Sequence, residues 1–187
     1  MKLKKLNAAL ALLAILCILL HVGYSAFAYL TFYYNPVLKN LFAVPFLVLT
    51  CLHAVLGMTI VFTQKDGSRM DLYPKQNRRT ILQRTSAALI FPLLILHMKT
   101  FALMQAAAEG GQILVILLLI AAELLFFAVV LTHAATSFSK AFITLGLLTS
   151  ERTAEAVDKA CYVIGAVLFL IPAFAVVKGQ IAMFLMH

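Results

Sequence analysis

Long apolar runs separated by short polar stretches fill the chain from end to end. Each run is about 20 residues or longer, the length that a helix needs to cross the ~30 Å hydrocarbon layer of a bilayer. The runs lie at about residues 7–31, 41–64, 85–105, 112–137 and 160–178. The pattern predicts an all-α integral membrane protein with five transmembrane helices, built as a single domain over residues 1–187.

The stretches between the runs are of two kinds. Asn35-Pro36 indicates a turn after the first run, and Gly110-Gly111 indicates a break after the third. The segments 65–84 and 138–159 are longer and polar, and we interpret them as loops. They carry both charge signs, which suits either the docking of a soluble subunit or a solvated linker. Within the second segment, Ser150-Glu151 is typical of a helix start.

The composition excludes a soluble protein. Hydrophobic residues make up 64% of the chain, the mean hydropathy is +1.01, and only 12% of residues are charged, against roughly 25% in soluble domains. No connection is long enough for a soluble catalytic domain, so water-side chemistry must belong to a partner. The basic N-terminus and Ala26-Phe27-Ala28 resemble a signal peptide, but the run exceeds the usual h-region of about 7–15 residues, so we expect it to be retained.

The net charge of +8 has an uneven distribution across a five-span arrangement. Only Lys39, Lys99 and Lys178 lie on one side. Twelve basic residues lie on the other: Lys2, Lys4, Lys5, Lys65, Arg69, Lys75, Arg78, Arg79, Arg84, Lys140, Arg152 and Lys159. The positive-inside rule then predicts a multi-pass protein of the cell membrane with a cytoplasmic N-terminus and an outer C-terminus. The charge sets orientation and gives no reason to expect nucleic-acid binding.

Each of the first four runs carries one histidine: His21, His53, His97 and His133. The fifth histidine, His187, ends the chain. At a rise of ~1.5 Å per residue, His21 and His97 both lie roughly 20 Å from the cytoplasmic edge. His53 and His133 lie roughly 16 Å and 9 Å from it, which is a looser match. We therefore expect an outer pair and an inner pair.

Two histidines at one level can hold the iron of a haem from both faces. The pairs predict two haems b, the outer one on His21 and His97 and the inner one on His53 and His133. The chain has no Cys-x-x-Cys-His for covalent attachment. Zinc is not indicated, because no Asp, Glu or Cys joins the histidines at ligand spacing. Interhelical hydrogen bonds or a proton relay are the alternatives.

Glu123 is the only acidic residue within an apolar run, in the outer half of the fourth. A carboxyl group in lipid can exchange protons where a quinone is reduced or a quinol is oxidised. The alternatives are that it faces an outer vestibule or that it pairs with Lys99.

Three features together resemble the di-haem cytochrome b membrane-anchor subunits of succinate:quinone oxidoreductases and fumarate reductases, the single-anchor type with five spans. Histidines occupy spans one to four in the order of that family. Arg84-Thr85-Ser86 opens the third span, eleven residues before His97, like the Arg-x-Ser of the family. The segment "HAATSFSKAFITLG", from His133 to Gly146, resembles the family segment in which Ser, Phe and Thr-Leu-Gly follow the ligand.

The resemblance implies that His21 and His97 hold the distal haem and that His53 and His133 hold the proximal haem. It also implies a flavoprotein and an iron-sulfur subunit docked on loops 65–84 and 138–159, with electrons passing to or from membrane quinone. The chain departs from some members at Ala134, where they have Gly. It departs from some fumarate reductases at Leu131, where they have Glu, which argues against a proton route through that position.

Two other functions fit the same sequence. The chain could anchor another respiratory complex, a hydrogenase or a formate dehydrogenase. It could also be a haem-free proton-coupled transporter or scaffold, in which the histidines and Glu123 form a proton path. A bound chromophore separates the haem-free alternative from a cytochrome, because haem absorbs visible light and the haem-free protein would be colourless.

Overall fold

The computed structural model describes residues 2–64 and 74–186 of the chain. Five helices account for nearly all of this part: α1 (Lys2–Thr31), α2 (Pro36–Gln64), α3 (Pro74–Glu109), α4 (Ile113–Leu145) and α5 (Glu151–Phe184). All five are long and apolar enough to cross a membrane. The predicted class, an all-α membrane protein with five transmembrane helices, is confirmed.

The helices extend well beyond the apolar runs, and the interpretation of 138–159 as a loop is wrong. Only residues 146–150 connect α4 to α5. Similarly, residues 74–84 of the other polar segment belong to α3, while 65–73 lie outside the described residues. An apolar run ends at its first charged residues, whereas a helix continues until its backbone groups find other partners.

Capping residues set the ends of α4 and α5. Gly146 adopts a positive φ of 82°, which a residue without a Cβ tolerates, and its N–H donates to the Ile143 carbonyl. Leu147 N–H donates to the Phe142 carbonyl at 2.9 Å. Four residues after Gly146, the Ser150 side chain accepts from the Thr153 N–H, which confirms the predicted helix start.

The turn between α1 and α2 is built around Asn35, as the Asn35-Pro36 pair predicts. Its side-chain oxygen accepts from the N–H groups of Val37 and Leu38 at 2.9 and 3.2 Å. The Tyr24 hydroxyl donates to the Asn35 carbonyl at 2.9 Å and accepts from the Asn35 N–H at 2.7 Å. The turn is therefore tied to the side of α1. Gly110 and Gly111 form the other predicted turn, with a φ of 65° at Gly111.

Helices α1 and α2 pack as one antiparallel pair and α3 and α4 as another, with α1 joining α4 across the middle. Helix α5 packs against α4 and α1. We call the end of the bundle where α1 starts the basic end, because Lys2, Lys4, Lys5, Arg79 and Lys140 lie there. The end with the Asn35 and Gly110-Gly111 turns is the far end.

The exterior of the bundle is apolar. Large apolar side chains are exposed, as at Phe62 (80%) and Val37 (72%). The interior is mixed: it contains apolar side chains such as Met104 and Ile116. Among the described residues, the buried polar side chains are Ser86, Thr100, Glu123, Thr136, Ser139 and Gln180. An apolar exterior is expected in lipid, where exposed apolar atoms carry no hydrophobic cost.

The backbones of α1 and α5 approach closely at Gly179. A Cβ placed on Gly179 would lie 2.5 Å from the Cδ1 atom of Tyr29 and 3.0 Å from its carbonyl oxygen. The next residue, Gln180, is fully buried, and its amide donates to the Tyr29 hydroxyl at 3.5 Å. A side chain at position 179 would force the two helices apart.

We expect Gly179→Ala to lower the free energy of unfolding by about 1–3 kcal/mol, the usual cost of overpacking a tight contact. Gly165→Ala on the same helix is the matched control, because the nearest atom to its added Cβ is the Ala135 Cβ at 3.9 Å. The control should unfold like the wild type or be slightly more stable, since Ala favours helix. Unfolding in detergent micelles, followed by far-UV circular dichroism, measures both, and equal stability of the two variants would contradict the contact.

Candidate functional site

The four histidines are half-buried and come together as two pairs. The ring centroids of His21 on α1 and His97 on α3 are 6.4 Å apart. Those of His53 on α2 and His133 on α4 are 6.3 Å apart. These are the pairs that the depth estimate gives, and their role as ligands stays a prediction. His187 lies outside the described residues.

Each pair joins two helices that do not pack extensively on one another. In the described part of the chain, α1 does not pack extensively on α3, and α2 does not pack extensively on α4. The helices instead follow one another in the order α2, α1, α4, α3. The imidazole rings therefore reach across the interior between helices whose backbones stay apart, which leaves the space between them to side chains or to a bound group.

The two pairs lie at different levels. His53 Nδ1 is 3.2 Å from the Asn7 carbonyl oxygen, and Asn7 precedes His21 on α1 by 14 residues, about 21 Å of helix. His133 Nδ1 is 3.0 Å from the Gln83 carbonyl oxygen, and Gln83 precedes His97 on α3 by the same 14 residues, again about 21 Å. His53 and His133 thus form a basic-end pair, and His21 and His97 form a far-end pair.

The partners of the ring nitrogens fix the tautomers of three histidines. A carbonyl oxygen only accepts, as does an ionised carboxylate, so with Glu123 ionised the Nδ1 atoms of His53, His133 and His97 carry the proton and donate. Their acceptors are the Asn7 and Gln83 carbonyls and a Glu123 carboxylate oxygen. Each Nε2 then keeps a free lone pair, the arrangement of a metal-ligating histidine whose other nitrogen is held by an acceptor. His21 Nδ1 is buried without a hydrogen-bond partner among the described residues.

Aromatic rings pack around the far-end pair. Phe126 stacks on His97 with a centroid distance of 5.0 Å, and Phe127 meets the same ring edge-on at 6.3 Å. Phe46 of α2 stacks on His21 at 6.2 Å. These contacts restrict the rotation of both imidazoles and keep their surroundings apolar.

Glu123 is 3% exposed, so it does not face an outer vestibule. Its Oε2 accepts from His97 Nδ1 at 2.7 Å, and the described residues show no bond from it to Lys99. The sequence places the carboxyl in the outer half of α4 but gives no sign of this contact. The contact between Glu123 and His97 depends on how α3 and α4 are rotated about their axes, and the apolar runs do not specify this rotation.

The Arg-x-Ser element of α3 lies beside the basic-end pair. Ser86 is buried, and its Oγ is 3.4 Å from His133 Nδ1. Lys140 donates to the side-chain oxygen of Gln83 at 2.8 Å, next to the carbonyl that holds His133. The spacing in the sequence relates Ser86 to His97, whereas its contact with His133 comes only from the packing of α3 on α4.

Arg79 joins three helices at the basic end. Its guanidinium pairs with Asp158 of α5, with Nη2 2.7 Å from Oδ1. It also donates to the Thr136 carbonyl and to Ser139 Oγ of α4, both at 2.9 Å. From the sequence alone, Arg79 is only one of the basic residues that set the orientation. Its guanidinium donors form a planar fork that reaches both helices at once, which ties the first turns of α5 to α4.

The two pairs fit a haem better than a bare metal ion. Residues 2–64 and 74–186 contain no group of three or more His, Cys, Asp or Glu side chains placed to hold a metal. Protein-only zinc sites need three or four such ligands, whereas haem iron needs only axial ligands. An imidazole nitrogen bonds a metal at about 2 Å and lies about 1 Å from its ring centre, so two rings on opposite sides of one ion have centroids about 6 Å apart. The spacings of 6.4 and 6.3 Å match this value.

Comparisons with known proteins add no relative. No family model matches the chain, and neither the curated proteins nor the solved structures give a match. The candidate site is thus defined by its own geometry: two imidazole pairs at two levels, with three of the four Nδ1 atoms held by acceptors.

Proposed function

We propose that the chain is a di-haem cytochrome b subunit that carries electrons within a membrane-bound oxidoreductase complex. One haem b is held by His21 and His97, the distal haem, and the other by His53 and His133, the proximal haem. The observation that carries the proposal is the pair of imidazole spacings, 6.4 and 6.3 Å. Haem with two histidine ligands has no open position for oxygen and supplies a one-electron carrier.

The residues around the pairs orient and isolate the rings. The Nδ1 hydrogen bonds of His53, His97 and His133 direct each Nε2 away from its acceptor, toward the space between the helices. Phe46 and Phe126 stack on the far-end rings and restrict their rotation. The chain needs no catalytic group of its own for this role, because the dicarboxylate chemistry belongs to a partner.

The orientation and the partners follow from charge and from the resemblance. The basic end faces the cytoplasm of a cell membrane, by the positive-inside rule, and the C-terminus lies outside. The flavoprotein and iron-sulfur subunits of a succinate dehydrogenase or fumarate reductase dock on the basic end, at the cytoplasmic face. The docking surface comprises the ends of α3, α4 and α5 and the turn at 146–150. Residues 65–73 of the predicted docking loop lie outside the described part. Exposed Arg152, Glu155 and Lys159 give this surface both charge signs.

Two functions remain as alternatives, an anchor for a hydrogenase or formate dehydrogenase and a haem-free proton-coupled transporter or scaffold. The electron donor separates the first from our proposal. In the purified, quinone-free complex kept anaerobic, succinate should reduce haem to an extent set by the haem potentials, and dithionite defines full reduction. Hydrogen or formate should reduce neither haem there, and the complex without an added donor provides the blank. Reduction by hydrogen or formate alone would instead identify the other kind of anchor.

The pairing predicts the haem content of single substitutions. His21→Ala and His97→Ala should each lose one haem and keep the same remaining haem, because either change removes an axial ligand of the distal site. His53→Ala and His133→Ala should each lose the proximal haem and keep the distal haem. Haem per polypeptide, measured by pyridine haemochrome, and the α-band position check this, with His187→Ala as the control. Retention of two haems by any of the four variants would contradict its assignment as a ligand.

A further inference from the structure

The far-end pair differs from the basic-end pair in the acceptor that holds its ring. His53 and His133 donate to neutral backbone carbonyls, at 3.2 and 3.0 Å. His97 donates to the carboxylate of Glu123 at 2.7 Å, the shortest of the three contacts. Hydrogen bonds to an ionised acceptor are shorter and stronger than neutral ones. One ligand position out of four therefore has a carboxylate behind it.

Burial strengthens the contact between Glu123 and His97. Glu123 is 3% exposed, and Phe126, three residues further along α4, stacks on the His97 ring at 5.0 Å. Away from water, the interaction of a charge with a neighbouring group is larger than at the surface. The carboxylate also holds the ring in one tautomer and one orientation, since Nδ1 must keep its proton to donate.

We propose that Glu123 is a positioning residue that lowers the reduction potential of the haem held by His97. This inference rests on the proposed function. An acceptor behind a ligating imidazole raises the basicity of the ligand, and hydrogen bonding beyond the ligand tunes the haem potential. A more basic ligand favours ferric over ferrous iron, which differ by one electron. Glu123 thus acts on the electron equilibrium of one site through His97 and does not need to contact quinone.

The test is a potentiometric titration of the two-haem protein and of Glu123→Gln, followed by the α-band absorbance with redox mediators. Gln keeps an oxygen that accepts from His97 Nδ1 and removes only the charge. We expect the ferrous form of one haem to be favoured about tenfold in the variant, the lower end of the 10–100-fold effects seen behind metal ligands. For a one-electron couple this is a rise of about 59 mV in one midpoint potential. The midpoint potential of the other haem should change by only a small fraction of that shift.

Glu109→Gln is the matched control. Glu109 lies on the exposed surface at the far end of α3 and accepts only from Gln105 in the described contacts, at 3.2 Å. Its substitution removes the same charge without touching a histidine, so both potentials should remain at their wild-type values. Electron paramagnetic resonance of the oxidised proteins gives a second readout: only one of the two low-spin ferric signals should move in Glu123→Gln.

Two bound haems with unchanged potentials in Glu123→Gln would overturn the inference and leave the proposed function intact. If that variant binds only one haem, Glu123→Asp is titrated, because it keeps the charge on a shorter side chain that reaches His97 less well. A raised potential at one haem then supports the inference, and an unchanged potential or the loss of that haem overturns it. A wild-type protein without haem contradicts the proposed function itself, before any variant is compared.

Discussion

A polar ring in hydrocarbon is costly unless its nitrogens find partners, and this constraint organises the interior of the bundle. Three of the four core imidazoles place Nδ1 against an acceptor: a carbonyl of α1, a carbonyl of α3 and the Glu123 carboxylate of α4. The opposite nitrogen of each ring still needs a partner, and a second imidazole lies across the interior with its centroid about 6.3 Å away in each pair. In the basic-end pair both Nδ1 atoms donate to carbonyls, so the two neutral rings lack a proton on Nε2 and cannot hydrogen-bond each other there, whereas a metal ion between them would satisfy both nitrogens.

The rest of the fold holds these rings in place. The α1 and α3 backbones stay apart because each packs on an intermediate helix, and α5 fixes that arrangement from outside by contacting α1 and α4. Gly179 allows α5 to lie directly on Tyr29 at the far end, while Arg79 joins α3, α4 and α5 at the basic end. The Gly179 contact is close-packed and the Arg79 contact is polar. This is expected in lipid, where the hydrophobic effect does not drive helices to associate.

The sequence predicts the class of fold well, because the length and polarity of an apolar run are set by the bilayer itself. The rise per residue also relates His21 to His97, since depth depends only on position along a helix. Helix ends were harder to predict: residues 138–159 look like a loop, but Gly146 and Ser150 confine the connection to 146–150. The contacts of Glu123 with His97 and of Ser86 with His133 could not be predicted, because they depend on the rotation of each helix about its axis.

The central claim is that the four histidines hold two haems, and a dithionite-reduced minus air-oxidised absorption spectrum tests it most directly. The purified chain, produced with ample haem and quantified by pyridine haemochrome, should show two low-spin b-type haems per polypeptide. A featureless spectrum from the same preparation would contradict the account. The imidazole pairs would then belong to a proton path or to helix packing, and the chain would be a haem-free membrane protein.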